Sequence, residues 1–200
     1  MIRSATLRDA RSIARIHVDS WRAAYEGIVP DAFLDELDIE RRTKRWSTIL
    51  SASQSETFVL ESENKIVAWL SYGPCRDDDC EDSVEVWALY VCPSQWRCGY
   101  GSALMRFAEN LARESRRGNI ALWVLEQNLA GRHFYERLGY VPDGVKKPIE
   151  IGNLSLEELR YQRKVTPEGA PALIPSNRPS VAKQKTFGFS QQGFPRYRWK

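Results

Sequence analysis

Val84-Glu85-Val86-Trp87-Ala88-Leu89-Tyr90-Val91, followed across Pro93 by Gln95-Trp96-Arg97-Cys98-Gly99-Tyr100-Gly101-Ser102-Ala103-Leu104-Met105, is the stretch that decides the fold. It reads as a buried strand that runs into a glycine-punctuated turn and opens directly onto a helix. The first turn of a helix leaves backbone N–H groups without helical partners, at the positive end of its dipole. Such a turn is a ready site for phosphate oxygens. Glycine at 99 and 101 is expected because a Cβ at either position would hold an anion away from the backbone. The stretch therefore predicts a ligand that carries phosphates.

Spacing narrows the ligand. A nucleotide P-loop needs a longer glycine-rich turn followed by Lys and Ser or Thr, and no Lys follows Gly101. A dinucleotide fingerprint needs Gly or Ala three residues after Gly101, where this chain has Leu104. A third pattern fits. Trp96-Arg97-Cys98-Gly99-Tyr100-Gly101 resembles the pyrophosphate loop of the GNAT (GCN5-related N-acetyltransferase) superfamily, Gln/Arg-x-x-Gly-x-Gly/Ala at a helix start. Trp96 stands where the family has Gln or Arg, which leaves the backbone cradle intact. Downstream, Asn128-Leu129-Ala130-Gly131-Arg132-His133-Phe134-Tyr135-Glu136-Arg137-Leu138-Gly139-Tyr140 resembles a second family signature, Asn-x-x-Ala-x-x-Phe-Tyr-x-x-x-Gly-Phe/Tyr, with the Ala shifted by one.

The resemblance implies a mixed α/β fold over residues 1–165, with a mostly antiparallel central sheet flanked by helices in the order β-α-α-β-β-β-α-β-α-β-β. Periodicity alone supports a mixed α/β domain. Ile13, Ile16, His17, Ser20, Trp21 and Ala24 trace one helical stripe after a capping Asp9, and Asp31 caps a second helix that reaches Leu50. Thr57–Leu60 and Ile66–Tyr72 read as strands joined at Glu63-Asn64. Asn119–Leu125 reads as a strand buried on both faces, and Ala130–Leu138 as a short helix stopped by Gly139. Tyr140-Val141 and Leu159–Val165 read as the last strands, with a turn at Asp143-Gly144.

Composition bounds the rest. Apolar residues make up 42% of the 200, with seven Trp, eight Tyr and seven Phe, enough to fill a core. No run of apolar residues is long enough to cross a membrane, and the first residues lack a signal-peptide pattern, so a cytoplasmic protein is expected. Residues 166–200 form a separate tail, with five of the ten prolines and six basic side chains against one acid, Glu168. The tail is expected to be disordered. Its aromatic–cation mixture suits stacking on bases or an acidic surface, the alternative being an extension without a role. The body is close to neutral, and nothing in it suggests nucleic acid.

The spacing of Cys75, Cys80, Cys92 and Cys98 does not match a short zinc knuckle, so four reduced thiols and no metal are expected. Cys98 stands beside Arg97 at a helix start, where a thiol tends to be more reactive. Asp77-Asp78-Asp79-Cys80-Glu81-Asp82 reads as a solvated acidic loop, the alternative being an attractor of cationic acceptors.

The family likeness assigns roles. Acetyl-CoA is the implied co-substrate, its diphosphate on Trp96, Arg97, Cys98, Gly99, Gly101 and Ser102. Its pantetheine arm would lie between the strand ending at Leu89–Val91 and the strand ending near Asn128, and Asn128 would contact cofactor or order a water. Backbone N–H near Val91 would polarise the thioester carbonyl. Glu85, fourteen residues before Gly99, resembles the catalytic Glu of histone-acetylating members and is the candidate base, against a strand-edge carboxylate without a role. Tyr135, at the Phe-Tyr position, is the candidate acid, against core packing. Trp21 and Tyr25, four apart on the first helix, are candidates for an aromatic wall around the acceptor. The reaction so implied is direct transfer of acetyl to a primary amine of a small molecule or peptide. The rivals are a transferase with a different acyl-CoA and a non-catalytic acyl-CoA sensor. Dimers are frequent in the family, which leaves a homodimer open.

Overall fold

The computed structural model describes residues 1–52, 56–80 and 82–165. The strands are β1 (Ile2–Ser4), β2 (Glu56–Ser62), β3 (Lys65–Pro74), β4 (Ser83–Val91), β5 (Asn119–Leu125), β6 (Val141–Ile151) and β7 (Leu154–Lys164). The helices are α1 (Ala10–Ala24), α2 (Asp31–Asp35), α3 (Ile39–Ser51), α4 (Tyr100–Glu114) and α5 (Leu129–Arg137). The strands form one sheet in the order β1-β2-β3-β4-β5-β7-β6. Every pairing is antiparallel except β4 with β5. No helix among the described residues is long and apolar enough to cross a membrane.

Apolar spacing assigns each helix to a face. Leu104, Met105, Ala108 and Ala112 of α4 recur at helical intervals and pack on Leu70, Ile120, Leu122 and Tyr161. The α5 residues Phe134, Tyr135 and Leu138 join the same layer. On the opposite face Ile13 and Ala14 of α1 and Trp46 of α3 cover Val59 and Trp69. Farther along α1, Val18 and Trp21 pack with Leu34, Leu125, Ile151 and Leu156. The sheet thus separates an α4/α5 side from an α1–α3 side.

The structure corrects several expectations. The second helix is two, because Asp38 starts a new one by accepting from Arg41 N at 2.6 Å. Asp9 does not cap α1 with its side chain. It lies in a preceding single 3-10 turn, where it accepts from Thr6 N and from Arg3. The turn expected at Asp143-Gly144 is a bulge within β6, where register with β7 shifts between Pro142 and Lys146 and Gly144 has φ of 89°. The hairpin turn comes later, at Gly152-Asn153, so β6 and β7 are each eleven residues long. The turn at Glu63-Asn64 has both residues at positive φ, as a tight two-residue hairpin demands.

The acidic loop is neither wholly solvated nor an open attractor. Arg160, 4% exposed, bonds Asp79 through two nitrogens (2.5 and 2.7 Å), Asp143 at 2.6 Å and Asp77 at 3.4 Å. The thiols differ from expectation too: Cys75 and Cys80 are joined as a disulfide, with Cα atoms 6.1 Å apart. The loop doubles back through Ser83 N bonding Cys80 O and Cys75 N bonding Ser83 O, which brings the sulfurs together. Cys75, Asp77 and Cys80 are grouped closely enough to hold a metal, but the sulfurs are joined and Asp77 is engaged by Trp123 and Arg160. The tail expectation for residues 166–200 lies outside the described residues, as does Glu81.

Two outcomes follow from these ion pairs. Arg160→Met strands the carboxylates around it and is expected to lower the melting temperature by on the order of 5 °C; an unchanged melting curve would show that the acidic loop is not anchored there. Hydrogen bonding from Arg3, partly opposed by burial, holds the Asp9 carboxyl at about 2, below the ordinary 3.8. Its folded value is the lower one, so its contribution is complete above the ordinary value and disappears as pH falls through about 2. Asp9→Asn is therefore expected to flatten the fall in melting temperature across that acidic window, as read by circular dichroism.

Candidate active site

The site begins where two strands part. β4 and β5 pair in parallel from Ser83↔Asn119 to Val86↔Leu122, and there the pairing stops. β4 continues to Val91 alongside β3, and β5 to Leu125 alongside β7. A wedge therefore opens between Trp87–Val91 and Trp123–Leu125. Cys92 N donates to Val67 O of β3 at 2.8 Å, so alternation along the strand turns the N–H groups of Leu89 and Val91 toward the wedge. These donors are available to an extended ligand. A cavity of about 1270 Å³ runs through the wedge and reaches both faces of the sheet.

On the α4/α5 side the cavity meets the glycine turn. Arg97 has φ of 64° and Gly99 of 84°, the left-handed backbone that turns successive N–H groups inward ahead of α4. Around Gly99 no atom lies where a Cβ would stand, so the space is open. At Gly101 the surroundings are closer. A Cβ there would come within 3.1 Å of the Phe134 ring, so its glycine serves the contact between α4 and α5. Trp96 also has a structural role, because its Nε1 donates to Val91 O at 2.8 Å, an oxygen that Ser20 Oγ reaches at 2.9 Å. It ties the turn to the end of β4. Ser102 lines the cavity with Trp96, Arg97, Gly99 and Gly101, whereas Cys98 is exposed at the surface. Asn128 caps α5 by accepting from Gly131 N at 2.9 Å. A Cβ at residue 131 would come within 2.7 Å of Asn128 Nδ2, which accounts for glycine there. Tyr135 lines the wedge, its ring edge-on to Phe134 at 5.1 Å.

On the α1–α3 side the cavity becomes an aromatic chamber. Trp21 Nε1 donates to Tyr90 Oη at 2.8 Å, and Tyr25 packs edge-on against Trp21 at 4.6 Å. Both line the cavity, as do Trp87 and Trp123. Glu85 is 1% exposed, and its carboxylate is occupied by Arg76. The Arg76 backbone N and Nε each lie 3.0 Å from Oε2, and a terminal guanidinium nitrogen bonds Oε1. A proton arriving at Glu85 would have to displace one of these bonds.

Sequence reasoning missed Arg76, Trp87, Trp123, Lys147 and Glu158, all of which line the chamber. Lys147 and Glu158 are cross-strand partners on β6 and β7, with Nζ 3.5 Å from Oε2 and also 3.6 Å from the centre of the Trp123 ring. Burial lowers the Lys147 ammonium and raises the Glu158 carboxyl from their ordinary values. The missing signal was β6 itself: with the last strands read as Tyr140-Val141 and Leu159–Val165 around a turn at Asp143-Gly144, neither Lys147 nor Glu158 was assigned to a strand.

Comparison with known proteins agrees with this architecture. The acetyltransferase (GNAT) family model matches residues 12–140. An uncharacterized N-acetyltransferase of Bacillus subtilis, YuaI, is 31% identical over 79% of this chain and 89% of its own length. A probable N-acetyltransferase of Mycobacterium tuberculosis is 27% identical over 83% and 95%. Among solved structures, the PaiA N-acetyltransferase of Thermoplasma acidophilum in complex with coenzyme A shares the fold with a TM-score of 0.67 at 17% identity, covering 82% of this chain and 98% of its own. The yncA protein of Salmonella typhimurium, a putative acetyltransferase with acetyl-CoA as its cofactor, does so with a TM-score of 0.61 at 21% identity, covering 86% and 96%. With the strand wedge, the glycine turn and a family match over more than half its length, the chain belongs to the acetyltransferase (GNAT) family.

Proposed function

We propose that residues 1–165 transfer acetyl from acetyl-CoA to a primary amine by direct attack within a ternary complex. The observation that carries this reading is the continuity of the cavity. A phosphate-type turn lies at one end, unpaired strand donors in the middle, and an aromatic chamber with carboxylates at the other end. The two solved relatives named above hold coenzyme A and acetyl-CoA, and the same backbone features here suit that ligand.

In this reading the diphosphate sits on the N–H groups ahead of α4, around Gly99, and the pantetheine arm lies along Leu89–Val91 as a short extra strand. The thioester carbonyl accepts from backbone N–H at the end of β4, which stabilises the oxyanion as it forms. The acceptor enters from the Trp21–Tyr25 side. An alkylammonium of ordinary pKa ~10.4 is mostly charged at pH 7, so attack requires a proton acceptor that offsets ~4–5 kcal/mol. Glu85 is the carboxylate expected from sequence in this role, and it contributes negative charge to the chamber while Arg76 occupies its oxygens. Tyr135 lines the wedge on the cofactor side and returns a proton to the departing thiolate.

Acetyl-CoA at about a hundred times its dissociation constant is expected to stabilise the protein by ~2.7 kcal/mol, a shift of several degrees in thermal unfolding. ATP should give no shift, and acyl-CoAs with longer chains test the acyl preference. A folded sample that ignores every CoA would remove the reading. Tyr135→Phe should cut amine-dependent thiol release about 100-fold while keeping the acetyl-CoA shift; thiol release equal to wild type would free Tyr135 of its role as the acid.

A further inference from the structure

We propose that Glu158 is the group that takes the proton from the acceptor amine, with Lys147 as the residue that positions its carboxylate. The proposal rests on the transferase reading above and deepens it. Three observations on placement carry it.

The first is level along the sheet. Carrying the level of Val86↔Leu122 forward, with the bulge at Trp87 counted, sets Tyr90 abreast of Leu125, and Leu125 is the direct partner of Glu158 on β7. Glu158 thus stands beside the open part of the wedge, where the thioester is to lie. Glu85 is paired with Ala121, four residues back along β5 and within the closed part. At ~3.3 Å per residue that is ~13 Å along the strand.

The second is availability. Glu85 is held by the Arg76 backbone N–H and guanidinium at 1% exposure. The Glu158 side chain is 14% exposed, and its one ion pair among the described residues is the Lys147 contact at 3.5 Å. A carboxylate so held can accept a proton without losing a close guanidinium pair.

The third is surroundings. The charged groups that act on Glu158 are Lys147 from β6, Glu85 from β4 and Arg76 from the loop before β4. Burial raises its carboxyl above the usual carboxylate range, and Lys147 and Arg76 oppose that rise. A carboxylate raised in this way is a stronger base than an ordinary one. Lys147 stays put because its ammonium also lies over the Trp123 ring, whose Nε1 is fixed by Asp77 at 3.0 Å.

The step balances simply. A Glu158 carboxylate oxygen takes a proton from the ammonium, and the freed nitrogen lone pair forms the N–C bond at the thioester carbonyl. The C–S bond then breaks, the thiolate takes its proton from Tyr135, and the second proton of the attacking nitrogen, lost as the amide forms, passes through solvent to restore the Tyr135 phenol. The carboxylic acid left at Glu158 returns its proton to solvent once the amide departs.

The test uses the full chain with acetyl-CoA and four amine probes: phenethylamine, spermidine, L-lysine and a peptide with an N-terminal alanine. Thiol release is followed as a function of pH. Glu158→Gln should keep the thermal shift with acetyl-CoA, which reports an intact fold and cofactor site. It should lose about 100-fold in kcat/KM and the acidic limb of the pH profile. Glu158→Asp should retain that limb at reduced rate. Lys147→Met removes a charge that favours the ionised form, so the acidic limb should move to higher pH, a displacement that a purely structural role would not produce. Glu85→Gln should keep the limb. A Glu158→Gln protein within threefold of wild type with its acidic limb intact, or a limb lost in Glu85→Gln instead, overturns the assignment. Wild-type protein that binds acetyl-CoA and acetylates none of the four amines overturns the transferase reading, and this proposal with it.

Discussion

The whole arrangement depends on a single interruption of hydrogen bonding, the end of the β4–β5 ladder after Val86↔Leu122. Buried backbone groups are ordinarily paired, and leaving several of them open inside a sheet is costly unless water or a ligand takes them. The protein holds the strands apart from both sides. β3 keeps β4 paired up to Val91, and β7 keeps β5 paired up to Leu125, so each strand stays extended without the other. Trp96 and Ser20 then take the Val91 carbonyl, which fixes where β4 ends and where the glycine turn begins. The separation is thus supported by the pairing of each strand with its outer neighbour.

From that wedge follows a division of labour between the faces. The α4/α5 face is backbone chemistry: left-handed residues at 97 and 99, a helix start, and close packing of Gly101 on Phe134 and of Gly131 on Asn128. The α1–α3 face is side-chain chemistry, with indoles, two phenols and two opposed ion pairs, Arg76–Glu85 and Lys147–Glu158. In the transferase reading proposed above, one face would hold the cofactor through backbone groups, while the other would meet the acceptor through side chains that a single substitution alters.

This division also explains what could be read in the sequence. The glycine turn was legible because its requirement is local: positive φ and a helix start appear as Gly, spacing and apolar period. The strand through Glu85–Val91 and the Asn128–Tyr140 segment were legible for the same reason. The aromatic chamber was not. Glu158 is known as a chamber residue only once β7 is registered against β5, and Lys147 only once β6 is seen to continue through a bulge at Gly144. Asp77 and Asp79 look like a surface charge run until Arg160, 81 residues after Asp79, is found buried between them. Cys75 and Cys80 gave no signal because their pairing depends on how the loop folds back. The glycines at 101 and 131 were visible, but their reasons were neighbours from other segments.

The far edge of the sheet carries a different consequence. Among the described residues β6 is the outermost strand of the sheet, eleven residues long, and pairs with β7. A strand of that length at the edge of a sheet could recruit another strand and nucleate insoluble assemblies. Pro142 and Pro148 each lack a backbone donor, the bulge at Gly144 breaks the regular edge, and Lys146 and Lys147 add charge. The same irregularities that hid this strand in the sequence leave it a poor template for growth of the sheet, so colloidal safety and the difficulty of recognising β6 have a common origin.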